Sequence, residues 1–317
     1  MKAPFALTIV APCYNEEDGL PEFVRRMCAA ASAAVGEAYE LILVDDGSRD
    51  RTWQAISALS LTHPAIVGVR LSRNHGHQLA VTAGLSLVRG ARVLVIDADL
   101  QDPPELVGGM IEKLDQGFDV VFGRRRERAG ESTFKRTTAS LFYRTLAALA
   151  ENDIPVDTGD FRLMTRRIVD RLNAMPERDR FIRGMVAWLG GRQAELLYDR
   201  DARATGQTHY TLRRMVRLAT DGLTSFSTAP LRLATVLALL GVLIAAGLLV
   251  YVVAGFVMGV ANPGWTSLAL IVVFFSTAQL ICMAIFGEYL GRTYMQAKGR
   301  PLYLIDEITA SSRHEDI

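Results

Sequence analysis

From Leu233 to Gly287 the chain carries no charged residue. A helix that crosses a bilayer needs about 20 predominantly apolar residues. Asn262-Pro263-Gly264 breaks the stretch into two pieces, about 233–258 and 266–287, each long enough to span. Arg213, Arg214, Arg217 and Arg232 precede the first piece, Arg292, Lys298 and Arg300 follow the second, and the loop between them has no basic residue. Under the positive-inside rule both flanks face the cytoplasm. The expectation is a two-helix transmembrane hairpin within residues 232–290 and a cytoplasmic tail over 291–317. The alternative is a buried hairpin in a soluble protein. Just upstream, within 211–231, Thr211–Leu218 reads as a basic amphipathic helix suited to a headgroup layer, or else as a domain-packing helix.

Residues 1–210 have the character of a globular domain. The chain is 50% hydrophobic and 22% charged with net charge +1, which excludes a disordered polymer and gives no sign of nucleic-acid binding. Cys13, Cys28 and Cys282 show neither metal nor redox spacing, as expected of a reducing cytoplasm. No basic segment followed by a long apolar run opens the chain, so no cleaved signal is expected.

Short apolar runs at Leu7–Ala11, Leu41–Val44, Ile66–Leu71, Arg92–Ile96 and Val120–Phe122 read as strands. Helical patterns over Leu20–Ala34, Thr52–Leu61 and Gln78–Val88 alternate with the first four, which predicts a doubly wound, mostly parallel α/β sheet. Each strand ends in a polar cluster: Pro12-Cys13-Tyr14-Asn15-Glu16-Glu17, Asp45-Asp46-Gly47-Ser48-Arg49-Asp50, and Ser72-Arg73-Asn74-His75-Gly76. Open α/β sheets place ligands at that carboxyl edge.

The fourth run leads into Asp97-Ala98-Asp99-Leu100-Gln101-Asp102-Pro103-Pro104-Glu105. Asp97 and Asp99 stand two apart, so on a regular strand both point to one face. Two hard oxygen ligands with room beside them suit Mg²⁺ or Mn²⁺ shared with substrate phosphates. A solvated turn is the simpler alternative. Neither G-x-G-x-x-G after the first strand nor G-x-x-x-x-G-K-[ST] occurs, so a nucleotide here is not held by a Gly-rich loop. His75-x-His77 alone is a poor metal site and is read as part of a donor-side loop.

Gly123-Arg124-Arg125-Arg126, with Lys135, Arg136 and Arg144 beyond it, is either an ordinary basic surface or an anion clamp, arginine being suited to phosphate. In Asp157-Thr158-Gly159-Asp160, Gly159 permits a tight turn that brings both acids to the sheet edge, although Asp160 could equally cap a following helix. Arg180–Trp188 reads as an amphipathic helix whose Phe181 and Trp188 serve packing in the core or against a membrane.

The ordered set Pro12-x-Tyr14-Asn15-Glu16, Val44-Asp45-Asp46-Gly47-Ser48-x-Asp50 and Asp97-Ala-Asp99-Leu-Gln101-Asp102 resembles the family 2 glycosyltransferases of GT-A fold. With Thr158–Met164, Arg180–Met185 and the apolar C-terminal region, the chain resembles their polyisoprenyl-phosphate branch, which includes bacterial undecaprenyl-phosphate sugar transferases and dolichyl-phosphate mannose synthases. The Gln-x-x-Arg-Trp motif of processive synthases is absent, in keeping with a single sugar transfer.

The resemblance implies metal-dependent, inverting transfer of one sugar from a nucleotide-sugar to undecaprenyl phosphate. UDP-glucose is the expected donor, and GDP-mannose or a UDP-aminoarabinose-type donor the alternative. It implies a metal on Asp97 and Asp99 with Gln101, and a nucleotide pocket from Pro12, Tyr14, Asn15, Glu16, Asp45, Asp46, Asn74, Asp97 and Arg203. Lipid-phosphate contacts fall on Arg124, Arg125, Arg136 and Ser140, and Asp157 or Asp160 orients or deprotonates the acceptor. It also implies a homo-oligomer in the bacterial inner membrane with its catalytic domain on the cytoplasmic side. A non-catalytic membrane adaptor is the reading of another class, and the intact acids at 97, 99 and 102 speak against it.

Overall fold

The computed structural model describes residues 3–125, 158–198, 229–258 and 264–309, which form two compact units. In the first, β1 (Phe5–Cys13), α1 (Leu20–Val35), β2 (Tyr39–Asp45), α2 (Thr52–Thr62), β3 (Ile66–Leu71), α3 (His77–Ser86) and β4 (Gly90–Val95) alternate as the sequence predicts. A 3₁₀ turn at Pro104–Leu106 leads into α4 (Val107–Asp115) and β5 (Val120–Arg125). After them come β6 (Thr158–Thr165), α5 (Arg166–Ala174), α6 (Ile182–Leu189) and β7 (Gln193–Tyr198). The last strand, β8 (Ile305–Ile308), belongs to the C-terminal segment, where the sequence shows no strand signal.

The eight strands form one sheet in the order β7-β5-β6-β4-β1-β2-β3-β8. β1 to β4 are mutually parallel, β5 is parallel to β7, and β6 and β8 are the antiparallel members. Every residue of β2 is buried, as a central strand covered on both faces requires. Its alternation sorts the core: Leu41 and Leu43 join the cluster that holds the apolar faces of α1, α2 and α4, and Ile42 and Val44 the one that holds those of α3 and α5. α1 supplies Leu20, Phe23, Val24, Met27 and Ala31 at helical spacing, and its Pro21 sits in the first turn, where a missing N–H is harmless.

At the amino edge a buried carboxylate ties three strands together. Glu40, fully buried on β2, accepts from Thr8 Oγ1 at 2.5 Å, Arg89 N at 2.9 Å, Arg89 Nε at 3.1 Å and Arg89 Nη2 at 3.0 Å. The Arg89 guanidinium stacks 4.9 Å from the Phe5 ring centroid. This network locks the amino ends of β1, β2 and β4 and leaves the carboxyl edge free for the site.

The second unit contains α7 (Ala229–Val257) and α8 (Trp265–Ala297). The two touch, with the Cys282 thiol 3.7 Å from the Ala234 carbonyl oxygen. Among the described residues one helix, Phe274–Ala297, is long and apolar enough to cross a membrane, where the sequence predicts two. In α7 the apolar stretch Ala234–Gly247 is found among the described residues. The qualifying stretch of α8 also extends past the expected end at 287 and takes in the Glu288–Arg292 ion pair.

Candidate functional site

The site begins where β1 and β2 end. The Asp46 N–H donates to the Cys13 carbonyl at 2.9 Å, holding the two strand ends level. Beyond them Asn15 takes a left-handed backbone, φ 56°. Its N–H donates to Ser48 Oγ at 3.0 Å and its Oδ1 accepts from Arg49 N at 2.9 Å. Asp45 Oδ1 accepts from Ser48 N at 3.1 Å. Asn15 and Asp45 therefore build the β2–α2 loop, and neither is among the residues that line the cavity beside it.

That cavity, about 320 Å³, is bounded by Pro12, Tyr14, Glu16, Asp46, Asn74, His77, Asp97 and Asp99. Asp46 grips the loop before α3: its Oδ1 accepts from His75 N at 2.7 Å and its Oδ2 from Gly76 N at 2.9 Å. Burial pushes the Asp46 carboxyl up, against the pull of those two donors. Gly47, φ 64°, lies under the same loop, where an added Cβ would fall 2.4 Å from the Arg73 carbonyl carbon.

β4 ends at Val95, so Asp97 and Asp99 stand in the turn beyond it and not on a regular strand. They still share the cavity wall, with buried Ala98 between them also lining it, and Leu100 just beyond takes a left-handed backbone, φ 58°. Asp97 Oδ1 is out of water and has no hydrogen-bond partner. Burial first, then the charges of Asp160, Asp99 and Asp102, push its carboxyl up to about 6, against the pull of His77. Asp99 Oδ1 accepts from Gln101 N at 3.1 Å. Gln101 and Asp102 are buried in the same turn, Gln101 not among the residues lining the cavity, and Asp102 receives the Tyr198 hydroxyl from β7.

A cation suits this corner. It would neutralise a carboxylate oxygen that no hydrogen bond reaches, with His77 Nε2 3.7 Å away, and Asp97 and Asp99 are hard donors. Among the described residues no three His, Cys, Asp or Glu gather closely enough to hold one alone. The remaining ligands would have to come from water or from a bound diphosphate.

Asp160 does not cap a helix, and no tight turn forms at Gly159: both lie within β6. Asp160 Oδ2 accepts from Gln78 Nε2 at 2.9 Å and sits 2.9 Å from His77 Nε2. Its Oδ1 lies 3.6 Å from Arg183 and 3.8 Å from Arg162. Burial alone would raise this carboxyl, but His77 and the two guanidiniums outweigh it and hold it well below the usual carboxylate range. Burial likewise works against a charged His77, and the hydrogen bond to Asp160 and the Asp97 charge 3.7 Å away overcome it, so its pKa is raised. Arg162, fully enclosed, is brought down to about 10 by burial, which Asp160 opposes.

Other expected residues lie elsewhere. Arg124 projects from β5 and donates to Glu195 Oε2 on β7 at 2.8 Å. Arg125 ends β5 beside Tyr198 of β7. Asp157, Arg136, Ser140 and Arg203 lie outside the described residues, as does the predicted basic helix at 211–218. The helix expected at Arg180–Trp188 starts at Ile182, and Trp188 is 63% exposed, so it is not core. Sequence reading missed Gln78, Arg162 and Arg183 around Asp160. Arg162, two residues from Asp160 in one strand, was the only spacing signal for them.

A cavity floored by acids at the carboxyl edge of a mostly parallel sheet defines a GT-A-like α/β site. Residues 8–172 match the model described as Glycosyl transferase family 2. An uncharacterized glycosyltransferase, YkcC of Bacillus subtilis, is 42% identical over 95% of this chain and 93% of its own. Another, sll0501 of Synechocystis, is 40% identical over 95% of each chain. The prophage bactoprenol glucosyl transferase homolog of Escherichia coli is 35% identical over 95% of this chain and 99% of its own. The chain belongs to glycosyl transferase family 2, and is a glycosyltransferase. Among solved structures, the mannosyltransferase PcManGT of Pyrobaculum calidifontis, in complex with GDP-Man and Mn²⁺, aligns over 91% of this chain and 89% of its own at 18% identity and TM-score 0.49, a likeness too distant to carry function.

Proposed function

We propose that the enzyme transfers one glucose from UDP-glucose to a polyprenyl phosphate, with inversion, at the cytoplasmic face of a bacterial inner membrane. The observation that carries this reading is the buried Asp97 oxygen that no hydrogen bond reaches, beside Asp99 in a cavity of nucleotide size. Relatives named bactoprenol glucosyl transferase, matched over 94–95% of this chain, support glucose and a polyprenyl carrier.

Asp97 and Asp99, with Gln101, are the residues that would hold Mg²⁺ or Mn²⁺, which supplies Lewis-acid neutralisation of the departing diphosphate. Pro12, Tyr14, Glu16, Asp46 and Asn74 take the base and ribose, backed by Asn15 and Asp45 in the loop beneath, and Arg203 is assigned to the donor phosphates. Arg124, Arg125, Arg136 and Ser140 hold the acceptor phosphate in line with the anomeric carbon. Arg124 must exchange Glu195 for that phosphate.

A phosphomonoester has a second pKa near 6, so the attacking oxygen is already largely anionic at neutral pH. Asp160, held ionised and with both oxygens turned into the protein, is a poor base and is assigned to positioning. Asp157 is the acid left to meet the acceptor. The hairpin expected at 233–258 and 266–287 completes the reading as a membrane anchor. Its support is the charge-free sequence and the exposed Leu243, Met283 and Phe286 on α7 and α8. A homo-oligomer is part of the same proposal.

The test supplies the full chain, in vesicles, with undecaprenyl phosphate, a divalent cation and radiolabelled UDP- or GDP-sugars. UDP-glucose should give a labelled lipid and free UDP, and Asp99→Asn should reduce this at least 100-fold, about the loss of an essential charge-stabilising group. Undiminished transfer in excess chelator, or in the Asp99→Asn enzyme, would refute the metal assignment, and transfer from GDP-mannose alone would refute the donor.

A further inference from the structure

The turn that carries Asp97 and Asp99 has no regular structure between the end of β4 at Val95 and the 3₁₀ turn at Pro104. It starts from a fixed point, since Ile96 N donates to Val10 O at 3.1 Å. Further on, Leu100 takes φ 58°. A residue with a Cβ disfavours that backbone, which persists only where its surroundings hold it. Local support comes from the Gln101 N–H, which donates to Asp99 Oδ1 at 3.1 Å. Further support comes from a segment distant in the chain.

Asp102, two residues past Leu100 and buried, accepts from the Tyr198 hydroxyl. Tyr198 ends β7, and the sheet order sets β7 three strands from β4. The two strands between them make room for this contact. On β5, a Cβ added to Gly123 would fall 2.9 Å from Tyr198 Cε1 and 2.5 Å from Phe161 Cδ1. The β5–β6 register shifts at the same place, between Phe122 and Arg124. A glycine inside a strand, at a bulge, is where another group can approach closely. On β6, the Phe161 ring meets the Tyr198 ring edge-on, with centroids 5.9 Å apart.

Tyr198 and Phe161 are both buried in the apolar cluster that also holds Ala98, with Leu100 packed against it. A phenylalanine would fill the same apolar space. The hydroxyl is the part of Tyr198 that packing does not need, and burying it is costly unless it finds a partner. The partner it takes is in the turn that carries the cavity acids.

We propose that Tyr198 is a positioning residue for the cation corner: through Asp102, its hydroxyl holds the Asp97–Asp102 turn in the strained form that presents Asp97 and Asp99 to one cation. The proposal rests on the cation reading above. Tyr198 touches neither cation nor substrate and acts through the turn, as groups behind a metal's own ligands do. It also keeps the Asp102 carboxylate bonded inside the protein, so the open positions on the cation fall to water and the diphosphate.

The experiment measures Mn²⁺ binding to the full chain in detergent, with Mn²⁺ alone and again with UDP present, from the loss of the free-Mn²⁺ electron paramagnetic resonance signal. Asp99→Asn identifies the uptake that belongs to the corner. Tyr198→Phe keeps the ring and removes the hydroxyl. Its Kd for Mn²⁺ should rise about 10-fold, the lower end of what such outer groups contribute. The Mn²⁺ concentration that gives half-maximal turnover should rise with it. Tyr303→Phe removes a hydroxyl that donates to Ser86 Oγ at the end of α3, and Glu40→Ala breaks the amino-edge network. Neither should move the Kd, although Glu40→Ala lowers the melting temperature. Asp102→Ala removes the acceptor, so adding Tyr198→Phe to it should weaken Mn²⁺ binding no further.

A Tyr198→Phe chain that binds Mn²⁺ as tightly as wild type overturns the proposal. So does a Kd raised equally by Glu40→Ala, a loss that adds in full to that of Asp102→Ala, or a Tyr198→Phe chain with no melting transition, which would make the hydroxyl a requirement of the fold. These outcomes leave the cation reading standing. Wild type that takes up no more Mn²⁺ than Asp99→Asn, with or without UDP, refutes the cation reading itself, and the role of Tyr198 with it.

Discussion

Replacing Asp97 by Asn should make the cation-free protein more stable while destroying its function. The Asp97 carboxyl is pushed up to about 6 in the fold from an ordinary value near 3.8. A group whose pKa is raised by folding binds its proton more tightly in the native state. Above pH 6 the native state must carry a charge it disfavours, a penalty of about 3 kcal/mol for a shift of this size. The Asp97 side chain is 39% exposed, so solvent screening brings a usable figure to about 1–2 kcal/mol. At about 2–4 °C per kcal/mol for a domain of this size, the melting temperature of Asp97→Asn should rise roughly 2–8 °C at pH 7.5.

The gain should shrink as pH falls from 6 to 4, where wild-type Asp97 takes up its proton in the native state. Thermal melts of the full chain in detergent with chelator, from pH 4.5 to 8, measure it. Adding Mn²⁺ should then stabilise wild type and leave the variant unmoved. A variant that melts lower than wild type at pH 7.5, or a difference independent of pH, would show that the carboxylate is not held in a strained state awaiting a counter-charge.

Asp160→Asn should act in the opposite direction. It leaves the enclosed Arg162 without its counter-charge, and breaking a buried pair costs about 3–5 kcal/mol, read as a lower melting temperature. Because folding lowers the Asp160 pKa, its stabilisation is full above about pH 4 and fades as the pH falls further, so the wild-type and variant melts should converge in acid. Glu40→Ala breaks the amino-edge network and should cost a similar 3 kcal/mol or so, while leaving the KM for the nucleotide-sugar unchanged, since the site lies at the other edge. Gly47→Ala forces a Cβ into the Arg73–Asn74 backbone at a positive φ and should both lower the melting temperature and raise that KM severalfold through the displaced loop. An unaltered KM would mean that the loop does not shape the pocket.

Local pattern carries much of this protein. Period-2 burial along β2, helical spacing along α1 and acids placed just after a buried run are set by neighbours within a few residues, so each is legible in order along the chain. The charge-free stretch from Leu233 to Gly287 is legible for the same reason. The same locality explains where reading along the chain stops. Asp160 gains its character from His77, Gln78, Arg162 and Arg183, and only the antiparallel pairing of β6 with β4 and the packing of α3 and α6 bring them together. An isolated Asp between a Gly and a Phe can cap, turn or pair, and spacing does not choose among these.

The C-terminal segment makes the same point at larger scale. Ile305–Ile308 is four residues with two acids, too short and too polar to announce a strand. It becomes one because the exposed edge of β3 offers unpaired backbone groups that a passing chain can satisfy. Sequence alone determined the class of fold, the acids that floor the cavity and the apolar character of the C-terminal region, because each depends on residue type at fixed short spacing. Tertiary structure alone decided which acid is strained and which is held ionised, and that the last strand returns to the edge bearing the site, because desolvation and edge pairing depend on what distant segments bring close.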